Sequence, residues 1–112
     1  MRAHQNSSGR ALAIRVPGPR LDAASAPALR RELGRAIFEG SRRLVLDLSE
    51  VNFIDSNGLS ALVWALKKLD NDGELVISGA CSTVMIMFKL TRLDRVFRIF
   101  SSQEQALAAL AG

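Results

Sequence analysis

Residues 44–62 read LVLDLSEVNFIDSNGLSAL, and this stretch decides the fold. The run from Leu44 to Leu48 is apolar apart from Asp47, which is typical of a strand buried inside a sheet. A short loop then leads to Asp55-Ser56-Asn57-Gly58, after which apolar residues recur at helical spacing. The stretch therefore predicts a buried strand, a tight junction and an amphipathic helix.

The junction brings a hydroxyl and a carboxylate to the start of that helix. Backbone N–H groups at a helix start lack partners within the helix, and the helix dipole favours negative charge there. A phosphate on Ser56 would suit this position, so the junction is a candidate switch. Asp55 and Ser56 are also ordinary capping residues. Local spacing alone favours capping without any switch, although Leu59 stands where a capping box would have Glu or Gln.

Hydrophobic periodicity on both sides of this stretch predicts an alternation of four strands and four helices. The strands are expected at 11–16, 44–48, 74–78 and 96–100, and the helices from Asp22 or Ser25 to about 39, from 55 to 69, at 82–90 and at 103–110. Residues 1–9 are expected to form a mobile arm or an edge strand, before a turn at 6–9. The chain reads as one α/β domain, 1–112, with its core at about 11–110.

The buried face of each long helix follows from the same periodicity. The first helix is expected to bury Leu29, Leu33, Ala36 and Ile37; the second, Leu59, Leu62, Val63, Leu66 and Leu69; and the third, Val84, Met87 and Phe88. Gly40 is expected to end the first helix.

Composition excludes several classes of site. With one cysteine, Cys81, and one histidine, His4, among 112 residues, neither an intramolecular disulfide nor a zinc site is expected. We expect no cofactor, because the sequence has no glycine-rich phosphate loop. We expect no catalysis, since Ser56 has no evident base. The net charge of +4 is spread along the chain without basic–aromatic interleaving, so nucleic-acid binding is not predicted.

The sequence also gives no reason to expect a membrane protein. Its apolar runs are too short to cross a bilayer, and the first ten residues contain no apolar segment typical of a secretory signal. We therefore expect a cytoplasmic protein that does not insert into a membrane.

Three segments in order resemble the STAS domain of the anti-sigma factor antagonist family. Residues 17–22, PGPRLD, resemble the family's Gly-x-Leu-Asp segment before the first helix. Residues 44–62 resemble its central strand and Asp-Ser-Ser/Thr-Gly-Leu junction, and 97–107 resemble its closing strand and helix. The resemblance implies a central mixed sheet of about four to five strands with about four helices packed mainly on one face.

The resemblance also implies a function. In that family, an anti-sigma factor that is also a serine kinase phosphorylates the serine after the junction aspartate, and a serine phosphatase reverses the modification. The unphosphorylated protein binds the anti-sigma factor and frees the sigma factor. Ser56 is then the expected phosphorylation site, and the expected partner-binding residues are Asp22, Asp55, Ser56, Asn57, Gly58, Ser60 and Trp64.

Three residues depart from the family pattern. Asn57 stands where a second Ser or Thr is common, which leaves Ser56 as the one hydroxyl to modify at the junction. Ser60 and Trp64 stand where small residues are common. Two interpretations of Trp64 remain open: it packs against the third helix, or it anchors the partner, as tryptophan often does in interfaces.

Two rival functions follow from the same pattern. One is a STAS adaptor without phosphorylation, within a sensor or membrane-transport complex, in which Ser56 only caps the helix. The other is a response-regulator receiver with Asp47 as phosphoacceptor. The receiver is disfavoured because Pro17-Gly18-Pro19 replaces the acidic pair that would hold Mg²⁺.

Overall fold

The computed structural model describes residues 2–5 and 11–111. The described elements are β1 (Arg2–Gln5), β2 (Leu12–Arg15), β3 (Arg20–Leu21), α1 (Ala26–Phe38), β4 (Arg43–Asp47), β5 (Phe53–Ile54), α2 (Ser56–Leu69), β6 (Glu74–Ser78), α3 (Ser82–Leu90), β7 (Ile99–Phe100) and α4 (Gln103–Ala111). Short 3₁₀ turns at Asp70–Asp72 and Leu93–Arg95 join α2 to β6 and α3 to β7.

Five strands form the main sheet, in the order β1-β2-β4-β6-β7. The edge strand β1 runs antiparallel to β2, and the other neighbours are parallel. A second sheet contains only β3 and β5, also parallel. The predicted α/β class with a mixed sheet is therefore confirmed.

Alternation along the strands divides the core into two layers. On one face, Ile14, Leu46 and Ile77 pack with the buried residues of α1, α2 and α3. On the other, Val45 and Val76 pack with Ala106 and Leu110 of α4. Three of the four described helices thus share one face, as expected.

Most predicted boundaries agree with the structure to within a few residues. The helix predicted at 82–90 coincides with α3, and the strand predicted at 74–78 coincides with β6. Of the two predicted starts for α1, Ser25 is the N-cap residue, and Gly40 follows the helix end with a φ of +105°. The predicted turn at 6–9 lies outside the described residues.

Two expectations were wrong in detail. The strand predicted at 96–100 is reduced to β7, because the Phe97 amide bonds to the Leu93 carbonyl in a helical turn and only the Arg98 carbonyl begins pairing with β6. Val63 and Leu66 of α2 are only partly buried, and so are Ile37 of α1 and Met87 of α3. The fully buried positions of α2 instead include three small residues that the prediction missed, namely Gly58, Ala61 and Ala65.

Candidate functional site

The small sheet brings the two predicted aspartates to the same edge. In its register, Leu21 of β3 is opposite Ile54 of β5, so Asp22 and Asp55 follow paired residues. The Asp55 amide donates a hydrogen bond of 3.2 Å to the Leu21 carbonyl, which joins the two strand ends. Asp22 and Asp55 therefore lie at adjacent strand ends, and Asp55 directly precedes α2.

The Asp55 side chain organises the first turn of α2. Its backbone is extended, and its Oδ1 accepts hydrogen bonds from the amides of Asn57 at 2.9 Å and Gly58 at 3.1 Å. Asp55 is thus the N-cap residue, and Ser56 is the first residue of the helix, with an exposed side chain. The carboxylate occupies two of the backbone donors that an added anion would otherwise use.

Gly58 allows this turn to approach β3. A Cβ atom at Gly58 would lie 2.6 Å from the Leu21 carbonyl oxygen and 2.8 Å from Ile54 Cγ1. Both distances are too short for a side chain, so the first turn of α2 lies directly on the small sheet. Gly58 is buried, whereas Ser56 and Asn57 are exposed. Gly58 therefore contributes to the site by holding the helix close.

Asp22 is fixed by its own turn. Its Oδ1 accepts from the amides of Ala24 at 3.1 Å and Ser25 at 3.3 Å, and its Oδ2 accepts from Arg20 Nε at 3.0 Å. The Arg20 guanidinium lies 4.0 Å from the centre of the Phe53 ring. The bond from Arg20, followed by the bonds from Ser25 and Ala24, lowers the pKa of Asp22, although partial desolvation opposes the shift. The second carboxylate is therefore held in its charged form.

The second turn of α2 meets α1. Arg30 of α1 donates from Nη2 to Ser60 Oγ at 3.3 Å, and its guanidinium carbon lies 5.6 Å from the centre of the Trp64 ring. A Cβ atom at Gly34 would be 3.1 Å from Trp64 Cη2. Trp64 thus packs against α1, and the expectation that it packs against the third helix is wrong.

Sequence reasoning missed Arg30 and Gly34. No motif singles them out, because their role depends on how α1 and α2 lie together. The only available signal was a glycine in the middle of a helix, which is unfavourable there and usually has a packing reason.

Asp47 belongs to a separate, buried cluster on the α4 side of the sheet. It accepts hydrogen bonds from the Ser49 amide at 2.8 Å, Gln103 Nε2 at 3.1 Å and Arg15 Nη2 at 3.4 Å. Its side chain is only 4% exposed. Asp47 therefore ties α4 to the sheet and lacks the access that a receiver-type phosphoacceptor needs.

In residues 2–5 and 11–111, no three His, Cys, Asp or Glu side chains are grouped as a metal site would require. No helix within these ranges has the length and apolarity needed to cross a bilayer.

Comparison with known proteins points to one family. A model of the STAS domain matches residues 3–106. The chain is 30% identical to the anti-sigma-F factor antagonist RsfB of Mycobacterium tuberculosis over 90% of this chain and 83% of that protein. It is 33% identical to the putative anti-sigma factor antagonist BtrV of Bordetella bronchiseptica over 80% of this chain and 78% of that protein.

Solved structures agree with the fold. An anti-sigma factor antagonist from Mycobacterium paratuberculosis has a TM-score of 0.89 and 26% identity, with 99% of this chain and 92% of that chain covered. A putative antagonist from Thermotoga maritima has the same TM-score of 0.89 at 21% identity, covering 99% of this chain and 94% of that chain.

Proposed function

The chain belongs to the STAS domain family, and we propose that it is an anti-sigma factor antagonist controlled by phosphorylation at Ser56. In its unphosphorylated form it binds an anti-sigma factor that also has serine kinase activity. Binding releases the sigma factor for transcription. Phosphorylation by the same partner ends the interaction, and a serine phosphatase restores it. Because its partner acts on sigma factors, the proposed site of action is the cytoplasm.

One observation carries the proposal: Ser56 is exposed at the first position of α2, directly after the capping Asp55, and Asp22 follows the neighbouring strand of the small sheet. The names of the relatives support the class of partner. An exposed serine at a helix start is accessible to a kinase. Asn57, Ser60 and Trp64 lie on the same helix, and in this proposal they contribute to the surface that the partner binds. In this proposal the chain is a substrate and not an enzyme, and ATP is a ligand of the kinase.

Added charge and bulk explain how a phosphate would end binding. A phosphate adds about −1.5 to −2 charges near pH 7. Asp55 already supplies negative charge at this edge, while Asp22 is paired with Arg20, so the modified surface is more anionic and bulkier. A penalty of about 2.8 kcal/mol is enough to weaken binding roughly a hundredfold.

The adaptor alternative is less well supported. The chain resembles a sulfate transporter family protein from Wolinella succinogenes with a TM-score of 0.79, but at 21% identity this likeness concerns the fold alone. RsfB and BtrV, each at least 30% identical to this chain, are named as antagonists. We therefore give preference to the antagonist.

The test uses the anti-sigma factor kinases encoded in the source genome. Each is incubated with this protein and ATP, and the intact mass is measured for the unmodified sequence, Ser56→Ala and Ser82→Ala. Ser82 is a matched control because it is also exposed at the first position of a helix, α3. We expect one phosphate on the unmodified sequence and on Ser82→Ala, and none on Ser56→Ala.

Binding is then measured by calorimetry against the kinase that modifies the protein. We expect the phosphorylated form to bind at least about a hundredfold more weakly than the unphosphorylated form. Ser56→Asp should bind at least about tenfold more weakly. Phosphate on Ser56→Ala, or equal binding of the two forms, would contradict the proposal and favour the adaptor.

A further inference from the structure

The start of α2 has little capacity left to neutralise a phosphate. The Asp55 carboxylate already accepts from the amides of Asn57 and Gly58, whereas the charge of Asp22, at the neighbouring strand end, is paired with Arg20. A phosphate on Ser56 would therefore meet the like charge of Asp55 and two occupied donors. A nearby cationic side chain would then be the most favourable partner for it within the domain.

Arg30 is the cation best placed for this role. The contacts between α1 and α2 advance by four residues on each helix, from Arg30 with Ser60 to Gly34 with Trp64, so the two helices run in the same direction. Side chains on a helix lean toward its N-terminus. The Arg30 side chain therefore leans toward the end of α2 where Ser56 lies.

The distance to be covered is short. Ser56 and Ser60 are four residues apart on α2, which puts their Cβ atoms about 5–6 Å apart on one face. Arg30 Nη2 is already 3.3 Å from Ser60 Oγ. A shift of the guanidinium along α2 by about one helical turn, roughly 5.4 Å, would bring its donors to a phosphate on Ser56.

Arg30 is also available, unlike the other cations nearby. Among residues 11–111 it makes no ion pair with a carboxylate, whereas Arg20 is bound to Asp22 at 3.0 Å. Lys68 lies about three turns farther along α2, with its ammonium 5.7 Å from the Trp64 ring centre.

We infer that Arg30 is the intramolecular partner of the Ser56 phosphate, and that it leaves Ser60 and the Trp64 ring when the phosphate is added. This inference rests on the proposed modification of Ser56. Phosphorylation then alters two turns of the partner surface: it adds charge at Ser56, and it removes the Arg30 contact from the exposed Ser60 hydroxyl and from the indole. A guanidinium suits this task because its fork of donors can bind phosphate oxygens in pairs.

The test needs no kinase, because phosphoserine can be incorporated at position 56 during translation. Trp64 is the only tryptophan in the chain, so its fluorescence reports directly on the loss of the Arg30 contact. The second pKa of the phosphate is followed by ³¹P NMR. Both readouts are compared in the unmodified sequence, Arg30→Gln and Arg31→Gln; Arg31 is the adjacent, exposed arginine of α1.

We expect phosphoserine to change the Trp64 emission in the unmodified sequence and in Arg31→Gln, but not in Arg30→Gln. The second pKa of the phosphate should be about 0.5–1 unit higher in Arg30→Gln than in the other two, because the opposite charge that stabilises the dianion has been removed. Arg30→Met retains an apolar stem against Trp64 and removes the donors, so it should repeat the result for Arg30→Gln even if the latter folds poorly.

The inference is overturned if the phosphate titrates identically in all folded variants, or if Trp64 responds equally in Arg30→Met and the unmodified sequence. The proposed function fails separately. If no kinase modifies Ser56 but encoded phosphoserine still gives the Arg30-dependent responses, the proposed function is wrong and the pairing stands. If a kinase does modify Ser56 and these responses are missing, the proposed function stands and the pairing with Arg30 is wrong.

Discussion

The first turns of α2 and α3 start in similar ways and differ in what surrounds them. Each follows a parallel strand, and each has an exposed serine at its first position, Ser56 in α2 and Ser82 in α3. The α2 turn is capped by the Asp55 carboxylate, while Cys81 at the α3 N-cap makes no side-chain cap. At α2 a second aspartate, Asp22, follows the neighbouring strand of the small sheet.

A strand followed by a helix with a serine at its first position is therefore not sufficient to make a candidate switch. The exposed hydroxyl is common to both turns. What distinguishes α2 is the fixed acidic surroundings and the close contact of its backbone with β3. Variants of these residues test how much each feature contributes to the stability and charge of the turn.

The largest effect is expected from Gly58→Ala. The new Cβ would lie 2.6 Å from the Leu21 carbonyl oxygen, a backbone atom that cannot move without disturbing β3. We expect a loss of about 2–3 kcal/mol in the free energy of unfolding, measured by chemical denaturation. Gly34→Ala is the control: its Cβ would meet only the end of the Trp64 ring, 3.1 Å away, and alanine favours the helix. Equal losses for both variants would refute the close contact as the reason.

The cap of α2 should have a smaller effect. Asp55→Ala removes the acceptor of the Asn57 and Gly58 amides, and we expect it to lower the free energy of unfolding by about 1 kcal/mol. Asp55→Asn keeps an acceptor oxygen at the same position, so its loss should be clearly smaller. If denaturation gives the two variants the same stability, the cap is not what stabilises this turn.

The α3 start can be improved by supplying the cap that it lacks. The Cys81 backbone is already extended, with φ −74° and ψ 171°, as an N-cap residue requires. Cys81→Ser should therefore raise the free energy of unfolding by about 0.5 kcal/mol. Thermal unfolding checks this prediction, with Cys81→Ala as the control that changes size without adding an acceptor. A gain in both variants would point to packing instead.

The smallest effect concerns the charge of Asp22. Arg20 lowers the pKa of Asp22, so the stabilisation from this pair is present above the ordinary aspartate pKa and is lost as the pH falls through the lowered value. In Arg20→Gln the pKa of Asp22 should rise toward its ordinary value, so the loss of stability on acidification should be smaller and should be complete at a higher pH. Carboxyl NMR titration measures the change, and Arg31→Gln should leave the titration of Asp22 as it is.

The sequence predicted the elements with strong local periodicity. The long stripe of α2 and the runs that form β4 and β6 carry their pattern within one segment, so their type could be read directly. The strands β3 and β5 have two residues each, too few for any periodicity, and they exist because they pair with each other across the chain. The shortened β7 is the opposite case: an apolar run predicts a longer strand, but part of that run forms a helical turn.

The candidate site likewise contains residues that local sequence could predict and residues that it could not. Asp55 and Ser56 follow from local capping chemistry, whereas Asp22 came from the family resemblance, since only pairing of β3 with β5 brings it near. The surroundings of Trp64 could not be predicted from its spacing on α2, because a helix pattern shows which face is buried but not which neighbour covers it. Contact with Gly34 and Arg30 depends on the relative position of two helices.

The close contact at Gly58 has a consequence for timing. The first turn of α2 is packed closely against the Leu21 carbonyl, and under the proposed function a phosphate on Ser56 acts on the partner surface without a rearrangement of the domain. Collective rearrangements take microseconds to milliseconds, whereas exposed side chains reorient in picoseconds to nanoseconds. The speed of the response would then be set by the enzymes that add and remove the phosphate, and a cell could tune the duration of the signal through their amounts alone.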